Sequence, residues 1–229
     1  MDELTGHNQT RGRGGAGHVF MLLRDEIIAL SLKPGTVLSR AELQERFGVS
    51  STPVRDALMR LQSERLVEVY PQHATIVSPI DLDLARQAQF LRRSIEVELV
   101  RVLSAAPDAA LVERLRSLIR QQEAFAGLGE FEAFTRVDQA FHQAFYDAAQ
   151  VMELWTLVRR QSGHIDRLRR LNLPVGDKMA MIVREHTAVV DALARGDGAG
   201  AEAALRTHLS HSLQFVSTLR ESYPDYFAP

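Results

Sequence analysis

SRAELQERFGVSSTPVRDALMRLQSERLVEVYPQHATIVSP, residues 39 to 79, carries a complete small fold in its punctuation. Ser39 followed by Glu42 is a capping box that opens a helix, with Leu43 and Phe47 on its buried side. Gly48 is the natural left-handed residue to close it. A second helix begins almost at once. Ser50 or Ser51 caps it, and Pro53 falls in its first turn, where a missing N–H costs nothing. Val54, Leu58 and Leu61 recur at helical spacing and face inward, which turns Thr52, Arg55, Met59 and Gln62 outward. LVEVY (66–70) and TIVSP (75–79) then alternate with period two around the turn chemistry of PQHA (71–74), a short β-hairpin. Helix, tight turn, helix and hairpin in this order make a winged helix-turn-helix. Its second helix offers polar side chains to the major groove and its hairpin tip reaches the backbone or minor groove.

Outward from this core the chain changes character twice. Upstream, HVFMLLRDEIIALSL (18–32) predicts one more helix, stopped by Lys33-Pro34-Gly35. Residues 1–17 are polar and Gly-rich without periodicity, and read as a mobile arm that includes Arg11 and Arg13. Downstream, Ser78-Pro79-Ile80-Asp81 marks a boundary. Beyond it, helices are expected at roughly 82–105, 109–127, 130–149, 152–171, 176–195 and 199–222. The expected fold is therefore mostly α: a winged helix-turn-helix of α+β type (18–79), then an all-α six-helix antiparallel bundle (80–223), with a tail at 224–229.

Bulk properties exclude more than they assert. The 229 residues have 45% hydrophobic and 24% charged content, ordinary for a globular protein of two domains. No apolar run approaches the roughly 18–20 residues that span a bilayer, and the N-terminus lacks a signal-peptide pattern, so no membrane partner is expected. The absence of cysteine excludes disulfides, thiolate metal sites and a Cys nucleophile, and fits a reducing cytoplasm. A net charge of −2, with acids and bases balanced through residue 79, carries no nucleic-acid signal. DNA binding has to rest on local pattern.

In the bundle, the informative residues are polar ones on apolar faces. In FEAFTRVDQAFHQAFYDAA (131–149), Asp138 and His142 lie one turn apart and point the same way as Phe134, Phe145 and Ala149. His186 falls in the stripe of Met179, Ile182, Val183, Val190 and Leu193. His208 falls in that of Leu205, Leu209, Ser212, Val216 and Leu219, whereas His211 turns away from it. Arg92 and Glu96, four apart, flank a stripe of Ala88, Leu91, Ile95 and Leu99. A lone histidine on an apolar face is usually a satisfied core residue. Four buried polar groups aimed at one interior would each cost about 1–3 kcal/mol without a partner. One divalent ion satisfies all four: Asp138, His142, His186 and His208 form an N₃O set suited to Zn²⁺, Ni²⁺ or Mn²⁺, with positions open for water or a ligand. Two other readings stand beside a sensor. One is a bundle metallohydrolase that activates water at these residues, against which no HExxH and no evident Glu base accompany them. The other keeps the histidines purely structural.

Together these motifs resemble the GntR superfamily of transcriptional regulators, in its FadR-like branch, whose C-terminal part is the helical ligand-binding domain called FCD. The resemblance covers about residues 18–222. It is carried by PGTVLSRAELQERFGVSSTPVRDALMRLQSERLV, by Asp138-x3-His142, by Glu185-His186 followed by ALARGD (192–197), and by His208. It implies a homodimeric regulator, a repressor or activator, that binds operator DNA and changes grip on binding a small organic acid. It also implies a metal at the four matched ligands, often bound directly to an effector carboxylate, and an effector beside Arg92 of the family's Arg-x3-Glu, which Glu96 completes.

The chain departs from the family at its DNA-facing positions. Ser51 stands where an Arg precedes Thr-Pro, Arg40-Ala41 where Glu-Arg is usual, His73 where the wing tip has Gly, and Arg65 where Gly precedes Leu-Val. Gln150 replaces a common Asn. Arg55 is retained and is the expected main contact, with Arg40, Ser51, Thr52 and His73 completing the DNA set. These departures imply a divergent operator, with Arg11 and Arg13 compensating.

Overall fold

The computed structural model describes residues 15–70, 73–214 and 216–228. Residue contacts divide the chain into two compact units, with the division between Ile80 and Asp81. Most of the N-terminal arm, Arg11 and Arg13 included, lies outside the described residues.

The first unit is built as its punctuation dictates. Helix α1 (Ala16–Ile28) buries Val19, Phe20, Leu23 and Ile27 at three/four spacing. It is shorter than the 18–32 reading, because Leu30 takes a left-handed φ of 61° and turns the chain away. Helix α2 (Arg40–Phe47) opens with Ser39 Oγ accepting from the Glu42 N–H and closes at Gly48, whose φ of 63° is left-handed. Helix α3 (Ser51–Ser63) buries Val54, Ala57, Leu58 and Leu61 against α1 and α2. Ser50 occupies its N-cap position, but no side chain caps it. Strands β1 (Val67–Tyr70) and β2 (Ala74–Val77) pair antiparallel, with Val67 opposite Val77 and Tyr70 opposite Ala74. The loop before α2 steadies this wing: Leu38 N–H donates to Thr75 O at 2.7 Å and Gly35 N–H to Val77 O at 2.8 Å.

The second unit is all helical. Its elements are α4 (Leu82–Ser104), α5 (Ala109–Leu128), α6 (Phe131–Ala148), α7 (Met152–Gln161), α8 (Gly163–Asn172), α9 (Lys178–Ala194), α10 (Gly198–Ser210) and α11 (Val216–Ser222). Asp81, Asp108 and Asp197 cap α4, α5 and α10 with their carboxylates. Two helices read as continuous are divided. The one expected at 152–171 breaks at Ser162-Gly163, where Ser162 Oγ lies 2.9 Å from Arg159 O and 2.7 Å from Asp166 Oδ2. A Ser/Gly pair competes with the helical ladder in this way. The one expected at 199–222 passes through a 3₁₀ turn at His211–Leu213 before α11.

Packing runs α5 on α6, α9 on α5 and α10, α10 on α4, and α8 on α4. The core between them is dominated by Phe134, Phe141, Phe145, Tyr146, Leu115, Val190, Leu193 and Leu205. Helix α4 buries a wider face than its sequence reading. The expected stripe holds, with Ala88 and Leu99 buried and Leu91 and Ile95 packed against the core, and the buried face extends to Ala85, Arg92, Glu96, Val97 and Val100. Arg92 and Glu96 thus sit within the buried face rather than beside it. Among the described residues no helix is long and apolar enough to cross a membrane.

Candidate metal centre and DNA-binding face

Asp138 and His142 come from α6, His186 from α9 and His208 from α10, and all four are buried. The three imidazoles turn the same atom inward. His186 Nε2 is 3.2 Å from His208 Nε2, which is 3.3 Å from His142 Nε2. Asp138 Oδ1 lies 3.7 Å from His186 Nε2 and 4.0 Å from His142 Nε2, and has no hydrogen-bond partner although buried. Phe141 stacks flat on His186, ring centroids 3.8 Å apart, and walls the cluster on that side.

Each histidine is held from behind by a residue that the periodicity does not name as a partner. His142 Nδ1 stands 2.8 Å from Glu96 Oε2, His186 Nδ1 2.8 Å from Gln122 Oε1, and His208 Nδ1 2.9 Å from Glu185 Oε2. Gln122 and Glu185 accept, so the Nδ1 of His186 and of His208 carries the hydrogen and their Nε2 presents a lone pair, and the 2.8 Å contact with the Glu96 carboxylate favours the same form of His142. Asp138 is held similarly: Arg169 of α8 pairs with its Oδ2, leaving Oδ1 toward the histidines.

Gln122 extends the buried stripe of Leu111, Leu115 and Ile119, so a polar residue in an apolar stripe was its signal. Glu185 was visible only as the neighbour of His186, and Arg169 gave no periodic signal. His211 is not turned out as its position suggests. It is part-buried, with Nδ1 2.6 Å from the second oxygen of Glu185.

The electrostatics prepare ligands rather than charges. Burial, reinforced by Arg92, pushes the His142 imidazole down to about 4, and burial with the neighbouring His208 holds His186 well below its ordinary value. Burial would raise Glu96, but Arg92 and His142 outweigh it and bring the carboxyl down to about 2. Burial likewise opposes ionisation of Asp138, yet Arg169 and the histidines hold it well below the carboxylate range. Neutral imidazoles and an ionised carboxylate are the forms a cation binds.

Glu96 accepts from Arg92 Nε at 2.8 Å and from Tyr146 Oη at 3.3 Å. Among the described residues, the terminal Nη groups of Arg92 donate no hydrogen bond to a side chain or carbonyl.

These residues fit a metal. Bare Nε2 lone pairs at 3.2–3.3 Å repel one another. Two donors about 2.0–2.1 Å from one tetrahedral Zn²⁺ lie about 3.3 Å apart, so a cation held by these residues would turn the repulsion into coordination. It would also satisfy the orphaned Asp138 Oδ1.

In the first unit, Arg40 opens α2, and Ser51, Thr52 and Arg55 lie along the first turn and a half of α3. All four are exposed, as is His73 beside the wing turn. Arg55 Nε is 3.5 Å from Asp56, and its side chain is 61% exposed. Arg24 pairs with Glu64 at 2.6 Å, Arg46 with Glu26 at 2.9 Å, and Arg60 lies 3.8 Å over the Phe20 ring. These three cations are engaged within the unit, whereas Arg40 and Arg55 are exposed at the N-terminal ends of α2 and α3.

Comparison with known proteins agrees with both halves. Residues 16–77 match the model of bacterial regulatory proteins of the gntR family, and residues 87–211 match the FCD domain. The chain is 38% identical to an HTH-type transcriptional regulator in an unstable DNA locus of Streptomyces ambofaciens, covering 96% of this chain and 92% of that one. It is 27% identical to the transcriptional repressor RspR of Escherichia coli K12, covering 92% of each. The solved structure of E. coli McbR/YncC superposes with a TM-score of 0.75 at 21% identity, over 91% of this chain and 98% of that one, which establishes the fold. The relatives are transcriptional regulators, not enzymes, and the metallohydrolase reading falls away. The chain belongs to the GntR family of bacterial transcriptional regulators, with an FCD domain as its C-terminal part.

Proposed function

We propose that this regulator is a repressor whose hold on operator DNA responds to a small carboxylate effector, bound in the FCD domain at a divalent transition metal. Zn²⁺ is the first choice of metal, with Ni²⁺ or Mn²⁺ as alternatives. The observation that carries the reading is the convergence of three imidazole Nε2 atoms, each with its own Nδ1 acceptor, beside the orphaned Oδ1 of Asp138. Asp138, His142, His186 and His208 would hold the ion. When bound, it supplies a buried positive charge able to attract a carboxylate.

The chain's own residues supply the remaining recognition. Arg92 is fixed through Nε to Glu96, which aims a guanidinium with uncommitted Nη groups at an acidic effector. Glu96 therefore acts indirectly, by orienting Arg92 and His142. Residues 18–79 would bind DNA, with Arg55, Thr52 and Ser51 in the major groove and Arg40 and His73 on the backbone. Residues 80–223 would bind effector and dimerise. In a homodimer two recognition helices meet half-sites about 34 Å apart per helical turn, so a modest rotation on effector binding loses register. The repressor assignment draws on RspR, a repressor by name.

Metal analysis of the purified wild type, His142→Ala and His208→Ala tests the site. Near-stoichiometric metal in the wild type and its loss in both variants is expected, and full content in both variants would sink the reading. A mobility-shift assay with selected operator DNA and a panel of small organic acids tests the effector. If no acid alters DNA affinity, effector control is wrong.

A further inference from the structure

Helix α8 touches the metal cluster at one end of its sequence and the start of α4 at the other. Arg169 pairs with Asp138 Oδ2 and lies 3.6 Å from Asp166 Oδ1. Asp166 is itself held by Arg159 at 2.9 Å and Ser162 at 2.7 Å, so of the two acceptors of Arg169 this one is fixed independently of Asp138. Five residues earlier, His164 Nδ1 accepts from the backbone N–H of Asp81 at 2.9 Å and from Arg167 Nη2 at 3.0 Å. Both partners can only donate, so this nitrogen carries no hydrogen and the ring proton sits on Nε2. Asp81 opens the second unit, immediately after Ile80, and its carboxylate caps α4 through the N–H groups of Asp83 and Leu84. One ten-residue helix thus grips a candidate metal ligand and the junction residue.

We infer that Arg169 is the positioning residue for Asp138, and that α8 transmits occupancy of the cluster to the Asp81 junction through His164. The inference rests on the metal reading given above. Asp138 divides its oxygens, Oδ1 toward the histidines and Oδ2 to Arg169. Without a cation, Oδ1 is a buried acceptor with nothing to fix it, and the carboxylate can rock. A cation on Oδ1 fixes the carboxylate, and with it the acceptor that Arg169 needs. Ordering Arg169 orders α8, because the helix rise of about 1.5 Å per residue leaves His164 less than two turns away. His164 then holds Asp81 N–H more firmly. The coupling is between local stabilities and needs no large displacement.

Amide hydrogen exchange on the full-length protein, with Zn²⁺ alone as probe and metal content measured on the same samples, tests this. In wild type, Zn²⁺ should slow exchange of the segment 81–85 by at least about fivefold, as well as slowing α9 and α10. In Arg169→Met at saturating Zn²⁺, the slowing at 81–85 should disappear while that in α9 and α10 persists. Arg169→Lys should restore part of it. His164→Ala, which cuts the opposite end and leaves the cluster untouched, should abolish the slowing at Leu84 and Ala85 without altering Zn²⁺ content. It also serves if Arg169→Met does not fold. Slowing at 81–85 that survives in either variant overturns the proposal, as does a wild type that binds Zn²⁺ with no change there. A wild type that takes up no Zn²⁺ fails the metal reading itself, and the metal assay identifies that case.

Discussion

Glu185 stands behind His208, its Oε2 2.9 Å from Nδ1, while its other oxygen meets His211 Nδ1 at 2.6 Å. The carboxylate therefore fixes both the tautomer and the ring direction of His208. His208 Nε2 in turn lies within 3.3 Å of the matching atoms of His142 and His186. Replacing Glu185 by Ala leaves the four ligands intact and removes only what orients one of them. Zn²⁺ affinity in Glu185→Ala should fall by about 10–100-fold. Competition with a chromophoric chelator measures it, and an affinity equal to wild type would mean that packing alone positions His208.

Metal-free protein should lose stability on acidification, and the sign follows from the buried groups. His142 is lowered from 6.5 to about 4, chiefly by burial. In the window between those values the unfolded imidazole takes a proton that the folded one refuses. Its contribution is complete above 6.5 and declines as pH falls toward 4, by on the order of 3 kcal/mol. Glu96, lowered from 4.5 to about 2 against the push of burial, acts in the same direction in the lower window. Urea melts of chelator-treated protein at pH 7.5 and pH 5 check this. An unchanged midpoint would contradict it, whereas His142→Phe, if folded, should flatten the upper part of the dependence.

Arg55 is the exposed cation of the first turns of α3, since Arg60 is engaged with Phe20. Arg55→Ala should weaken binding to the selected operator by about 1–3 kcal/mol and leave binding to unrelated DNA much less affected. Fluorescence anisotropy on the two duplexes separates these effects. Equal losses on both would make Arg55 a phosphate contact rather than a reader of bases.

Gln150 ends the turn after α6 with φ of 59°, in the left-handed region. An L side chain there is strained by about 1–2 kcal/mol, and glycine is not, although it loses some entropy on folding. Gln150→Gly should therefore stabilise the protein by about 0.5–1 kcal/mol, seen as a higher thermal midpoint. A lower midpoint would show that the side chain contributes more than its backbone costs. Arg65, with φ of 56° after α3, holds the same conformation. Two of the residues that replace an expected Gly or Asn, Arg65 and Gln150, thus stand at left-handed positions.

What the sequence determined by itself is local. Ser39, Gly48 and Pro53 set the limits of α2 and α3 because caps and left-handed turns are decided by residues a few positions apart. Periodicity placed Asp138, His142, His186 and His208 on buried faces, since a helix face follows from spacing alone. The tertiary structure decided which groups face one another. Gln122 behind His186, Glu185 between His208 and His211, and Arg169 on Asp138 each join residues far apart in the chain. It also decided that α4 buries Arg92 and Glu96 along with its apolar stripe, and the break at Ser162 that makes α8 a separate helix. Spacing tells which way a side chain points from its own axis. What it meets depends on how the axes pack, which is set by the fit of every other side chain in the core.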